Sequence, residues 1–194
     1  VTNTRLKIRA ATAEEVYAGT EPSEEAKPHL APGIAPIAYV SKLKTADLFA
    51  DAVDFLARAL PKREAVWWAC LCVQDLAPVP AQPLVGRALK AAEAWVYRPT
   101  EENRRAAEAT ANALKTPHPA RWAAMGAFWS GGSMAPPGSP EVRPADDFTA
   151  KAISGAVQMA AGLEPPHMEA RRKTFLDYGI DIANGGSGRP PKPG

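Results

Sequence analysis

The chain has 194 residues, of which 20 are proline, 39 alanine and only 17 valine or isoleucine. Its formal charge is +2, from 23 basic and 21 acidic side chains, and 46% of its residues are hydrophobic. These figures exclude wholesale disorder, a collagen-like chain and a disulfide-framed miniprotein, and so even a charge balance gives no general drive toward nucleic acid or anionic lipid. Alanine is the best helix former and β-branched residues favour strands, so the composition leans toward an all-α fold.

The beginning of the chain reads as an extended segment. Thr4 to Arg9 alternates like a short strand, but no partner strand is evident. Thr12 and Glu15 form the Thr-x-x-Glu pattern of a capping box for a short helix. Residues 19–36 carry four prolines and two glycines, which predicts a segment laid over the rest of the fold.

Beyond it, the prolines leave seven proline-free windows: 37–60, 62–77, 84–98, 100–116, 120–135, 145–164 and 167–189. Proline costs about 3 kcal/mol inside a helix but is tolerated in its first turn, so this spacing predicts consecutive helices with short connectors. In the first window Thr45 reads as an N-cap, followed by Leu48, Ala52, Leu56 and Ala59 at helical spacing, with Val53 and Leu60 widening the face. Pro61 opens the second. It contains Ala65 to Val73, apolar on every side, the pattern of a helix buried in the middle of a core.

Window 84–98 puts Val85, Leu89, Ala92 and Val96 on one face, with Trp95 beside them. Thr100 caps the next helix, where Glu101 can pair with Arg105 and Arg104 with Glu108. The remainder of that helix is mostly alanine, so it is expected at the periphery. Trp122, Met125, Phe128 and Trp129 follow, and then Ser130 to Gly138, which must be a loop. The last two windows offer Phe148, Ala152, Ala156, Met159 or Ala160 and Leu163, then Met168, Phe175, Tyr178 or Gly179 and Ile182. Asn184 to Gly194 is Gly/Pro-rich without an apolar anchor and reads as a frayed tail, and its PxxP pattern carries little weight.

Few residues suggest chemistry. His29, His118 and His167 each adjoin a proline and lack the neighbouring ligands of a metal motif, so they read as exposed or capping histidines. Cys70 and Cys72 point roughly 200° apart on a helix and read as apolar fillers in a reduced compartment. Trp68, Trp95 and Trp122 lie 27 residues apart, but their flanks do not match, so no repeat is inferred. The acidic pairs sit at predicted helix starts, where the helix dipole accounts for them. Basic clusters at Arg5/Lys7/Arg9, Arg104-Arg105 and Arg171-Arg172-Lys173 read as solvated helix faces rather than one nucleic-acid stripe.

The Ser130–Gly138 loop is the most site-like segment. It lacks the Gly-Lys-Ser/Thr ending of a phosphate loop and the Gly-x-Ser-x-Gly of a hydrolase elbow. With Trp129 and Met134 flanking it, Trp129, Ser133 and Met134 stand as the partner-binding candidates against the plainer reading of a connector. No catalytic residue, metal ligand or cofactor-binding residue is assigned.

Four segments carry a resemblance: Ala59 to Cys72, Trp95 to Ala107, Phe128 to Gly138 and Phe175 to Asn184. Through them the chain resembles, over residues 10 to 186 or so, an uncharacterised family of all-helical bacterial proteins found beside type VI secretion genes. The resemblance implies a genomic setting and carries over no catalytic residue. The valine at position 1 fits either a lost initiator or a literally translated GTG start, and the second, like the Ala/Pro/Arg usage, suits a GC-rich bacterium.

The expectation is therefore all-α: a single-domain bundle of about seven helices around the helix 62–77. An N-terminal extended segment with a short helix (1–36) precedes the helical domain (37–183), and a flexible tail (184–194) follows it. The longest strongly apolar stretch, nine residues, is about half a membrane span, and nothing resembles a secretory signal, so a cytoplasmic location is expected. The leading functional expectation is a non-enzymatic interaction protein, an adaptor or chaperone whose partner is another protein, secretion cargo or an apparatus component. No nucleic-acid or membrane partner is expected, and the oligomeric state stays open. Two alternatives stand. One is an enzyme or small-ligand protein whose pocket gathers residues such as Ser133, His118 and Tyr178 from distant helices. The other is a structural homo-oligomeric subunit.

Overall fold

Proline marks the helix starts as the sequence predicts: Pro36, Pro83 and Pro119 are first helical residues, and Pro61 is an N-cap. The computed structural model describes residues 6–76 and 83–189. Among these residues there are nine α-helices and no strand. They are α1 (Ala13–Val16), α2 (Pro36–Thr45), α3 (Phe49–Ala59), α4 (Lys62–Gln74), α5 (Pro83–Tyr97), α6 (Glu101–Ala113), α7 (Pro119–Phe128), α8 (Phe148–Gly162) and α9 (Met168–Ala183), with 3-10 turns at Lys27–His29 and Pro165–His167. The protein is an all-α bundle.

The count exceeds seven because α1 adds one helix and the first window holds two. α2 ends in a Schellman turn: the Leu48 N–H donates to Leu43 O (2.9 Å) and the Asp47 N–H to Lys44 O (3.2 Å), with Asp47 at φ 60°. Aspartate is among the few residues that adopt this left-handed conformation readily. Thr45 therefore does not cap α3. It closes α2, its hydroxyl donating to Ser41 O (2.9 Å), and Leu48 holds the N-cap position of α3.

α4 is enclosed by α5, α7, α8 and α9, and its residues Ala65, Val66 and Trp68 to Val73 are buried. Burying a side chain as large as Trp68 stabilises by about 3 kcal/mol, and its indole N–H is satisfied by Phe175 O at 2.7 Å. Trp67 lies half-buried at the rim. α7 shares the centre, because alanines and Gly126 let it approach its neighbours closely. A Cβ on Gly126 would fall 2.6 Å from Ile153 Cδ1. α6 packs chiefly on α5 and α7.

The N-terminal segment is tied down at several points. The Glu15 N–H donates to Thr12 Oγ1 (3.4 Å), while the Glu15 carboxylate accepts from the Ala11 N–H rather than from that of Thr12. Tyr17, Tyr39 and Phe55 form an aromatic cluster, and the Ala13 N–H reaches Ile34 O at 2.8 Å. Leu6 to Arg9 is not a strand; the Lys7 N–H instead donates to Ala183 O (2.9 Å) at the end of α9.

Residues 184–189 are not frayed. The Gly188 N–H donates to Asp181 Oδ2 (2.7 Å), Trp67 Nε1 donates to Ser187 O (2.9 Å), and Gly188 is buried beside Leu71 and Ile182. Glycine supplies here the close approach that an apolar anchor supplies elsewhere. The rest of the expected tail, including the PxxP pattern, lies outside the described residues, as do Thr4 and Arg5. Among the described residues no helix is long and apolar enough to cross a membrane.

Candidate functional site

The connection from α7 to α8 runs from Trp129 to Asp147, 19 residues without a helix or strand of their own. Loop carbonyls need donors, and two arginines of α6 provide them. Thr100 caps that helix, accepting from the Asn103 N–H (3.3 Å), and Asn103 Nδ2 donates to Arg98 O (2.8 Å), which ties its start to the end of α5.

One turn on, Arg104 is 3% exposed. Its Nε and Nη2 fork onto the Glu101 carboxylate at 2.6 and 2.7 Å, its Nη1 donates to Phe128 O (2.8 Å), and Nη2 also reaches Ser133 O (2.8 Å). Arg105 donates to Glu101 (2.9 Å), Glu108 (3.0 Å), Ser133 O (2.8 Å) and Ala135 O (2.7 Å). Both guanidinium groups lie against the Phe128 ring, 4.8 and 5.5 Å from its centroid. These contacts offset the several kcal/mol that desolvating a guanidinium costs. The hydrogen bonds from Arg104 in particular hold the Glu101 carboxyl down at about 2.

The loop is also bonded to itself. Ser133 Oγ accepts from the Ala135 N–H (3.0 Å) and the Val142 N–H (3.1 Å), and the Met134 N–H donates to Val142 O (2.7 Å). Gly132 has φ 65°, and a Cβ there would sit 3.1 Å from the Arg104 guanidinium. Backbone conformation and space therefore both require glycine.

Of the sequence-predicted residues, Trp129 caps α7 and packs its ring on Trp122 and Phe148, with centroids 6.3 and 5.3 Å apart. Met134 is half-buried against the core and Val142 beside it is 50% exposed. Ser133 works inside the loop, its oxygen engaged by two backbone donors. Arg104 and Arg105 do not form a solvated face, and Arg104 pairs with Glu101 instead of Glu108. The reason is spatial: the loop carbonyls lie on the side of α6 toward α7, and Arg104 turns inward to meet them. Alanine at Ala107 and Ala111 leaves room for that approach. No local pattern in the sequence signals it.

Ser133, His118 and Tyr178 are not brought together. His118 caps the start of α7, its Nδ1 accepting from the Ala120 N–H (3.1 Å), and burial lowers its pKa. α7 is ten residues, about 15 Å, long, so Ser133 lies beyond its far end. Tyr178 lines a separate cavity of about 170 Å³ with Asp75 and Arg189. His167 meets Glu164 at 2.8 Å, and Cys70 and Cys72 are buried thiols pushed well above their ordinary pKa by desolvation. Among the described residues no three His, Cys, Asp or Glu side chains are grouped to hold a metal.

A family model described as a family of unknown function, DUF6931, matches residues 39–183. The chain belongs to that family. No curated protein and no solved structure matches it. The DUF6931 span begins within α2 and ends with α9, so it contains α4, both clamp arginines and the whole α7–α8 connection. The segment carrying α1 precedes it.

Proposed function

We propose that this chain is a non-enzymatic interaction protein that holds a protein partner on its α7–α8 connection. The observation that supports this most is the clamp itself: two neighbouring arginines of α6, Arg104 only 3% exposed, hold the Ser133 and Ala135 carbonyls of a long surface loop. Connections beyond about 12–15 residues without secondary structure are uncommon, and ordered ones are usually functional. A loop already fixed in one shape binds without the entropy cost of ordering it. What it presents, Trp129, Met134 and Val142 with Trp122 and Phe148 alongside, is the aromatic and methionine surface favoured at interfaces. Ser133 contributes by holding the loop from within.

The resemblance to proteins encoded beside type VI secretion genes supplies the setting. In that reading the chain is a bacterial, cytoplasmic adaptor or chaperone, and its partner is secretion cargo or a component of the apparatus. The test is affinity purification from the native cell with mass spectrometry, comparing the wild type with a Trp129→Ala/Met134→Ala double variant matched to it by thermal melting. Recovery of a specific partner should fall by about tenfold or more in the variant. The same partners in the same amounts would remove the loop as the binding surface.

A further inference from the structure

A second site lies where α4, α5 and α9 meet, away from the clamped loop. Trp67 sits on the outer edge of α4 and Tyr97 ends α5, with 70% of its surface exposed. Their ring centroids are 5.9 Å apart at 59°. Together they line a cavity of about 270 Å³, with Val96 and Ile182 also in its wall. Three of the four segments quoted for the sequence resemblance converge on it, bringing Arg63 and Trp67, Val96 and Tyr97, and Ile182.

The cavity is organised. Trp67 is held by its indole N–H on Ser187 O (2.9 Å), and the Arg189 guanidinium lies 5.6 Å from its ring centroid. Lys7 and Glu64, both on the cavity wall, offset one another at 3.4 Å. Arg63 is fixed by a single bond, Nε to Val96 O at 2.6 Å, and has no carboxylate partner among the described residues. The side chain is exposed, and among the described residues its two Nη groups make no hydrogen bond. An aromatic wall, a guanidinium without a carboxylate partner among the described residues and a volume just under that of common ligand pockets define the ligand by size and charge. The cavity beside Phe49 offers no such imbalance, since Asp47 and Asp51 line it together with Arg172.

We propose that this cavity binds a small planar aromatic anion, one or two fused rings bearing a carboxylate or phosphate. The ring packs against Trp67 and Tyr97, and the anionic group accepts from the Nη atoms of Arg63. A guanidinium fork suits either acid, and ring packing at a rim tyrosine adds affinity without specificity for one heterocycle. The site is independent of the loop reading, because none of its residues touches the clamp.

The test uses the full chain labelled with nitrogen-15, following the indole N–H signal of Trp67 assigned by loss in Trp67→Phe. The probes are indole-3-acetate and AMP, with the neutral tryptophol and the cationic tryptamine as charge controls. Saturable shifts of the Trp67 signal with either anion, and weaker ones with both controls, are expected. If only one anion saturates, the acid is thereby identified as carboxylate or phosphate. Arg63→Gln should weaken the bound anion by about tenfold and leave tryptophol unchanged. Tyr97→Ala, a change at an exposed side chain, should weaken the bound anion and tryptophol alike by about fivefold. No saturable shift with either anion at millimolar concentration, tryptamine binding as tightly as the anions, or affinity unchanged in both variants would overturn the proposal.

Discussion

At the scale of single residues, Arg104 is the side chain on which most depends. Replacing it with alanine takes the guanidinium donor from Phe128 O, leaves Ser133 O to Arg105 alone and removes a buried guanidinium from its carboxylate, so Arg104→Ala should lose about 3 kcal/mol in urea unfolding. Arg104→Lys should recover only part of that, because an ammonium cannot fork onto Glu101 and reach two carbonyls as well. A loss under about 1 kcal/mol in the alanine variant would mean the contacts are incidental. Glu101 supplies the pH dependence. Its carboxyl is held at about 2, below its usual 4.5, chiefly by Arg104. A group depressed on folding adds stability that is fully present above its unfolded pKa and disappears as pH falls toward its folded one. Melting temperature should therefore decline between roughly pH 4.5 and pH 2 more steeply in the wild type than in Glu101→Gln. Parallel profiles would contradict the assignment.

At the scale of helices, two glycines that look alike in the sequence should respond oppositely to alanine. Gly155, on α8, has nothing within 4 Å of where a Cβ would stand, so Gly155→Ala should stabilise by up to about 1 kcal/mol through helix propensity. Gly179, on α9, would place its Cβ 2.6 Å from Leu56 Cδ2 and 2.7 Å from Trp68 Cε2. The indole is pinned on Phe175 O and cannot retreat, so Gly179→Ala should destabilise by about 1–2 kcal/mol despite the better propensity. Denaturant midpoints of the two variants check both signs. This contrast also shows what the sequence could carry. Helix starts at Pro36, Pro83 and Pro119, the Thr100 cap and the apolar run of α4 are local signals, and they were legible. The break at Asp47 was not, because an aspartate in the left-handed conformation leaves no glycine or proline as a marker. Nor was the anchorage of residues 184–189, where glycines stand for contact rather than for slack. The inward turn of Arg104 depends on carbonyls 24 and 29 positions later in the chain, beyond any helical period.

At the scale of the whole molecule, the bundle divides into a rigid centre and a loop held to it by charge. α4 and α7 fill the centre, and α6 stands outside them with its arginines reaching over Phe128 to the connection that α7 releases. Local opening free energy should follow that arrangement, greatest in α4 and intermediate in the clamped loop. The central claim, that buried charge shapes the loop before any partner arrives, is tested most directly by native-state amide hydrogen exchange on the free protein and on Arg104→Lys. In the wild type the N–H groups of Met134, Ala135 and Val142, which donate to Val142 O and Ser133 Oγ, should exchange about a hundredfold or more below the unprotected rate. In the variant they should approach that rate while α4 keeps its protection. Unprotected loop amides in the wild type, or loop protection indifferent to the substitution, would contradict it.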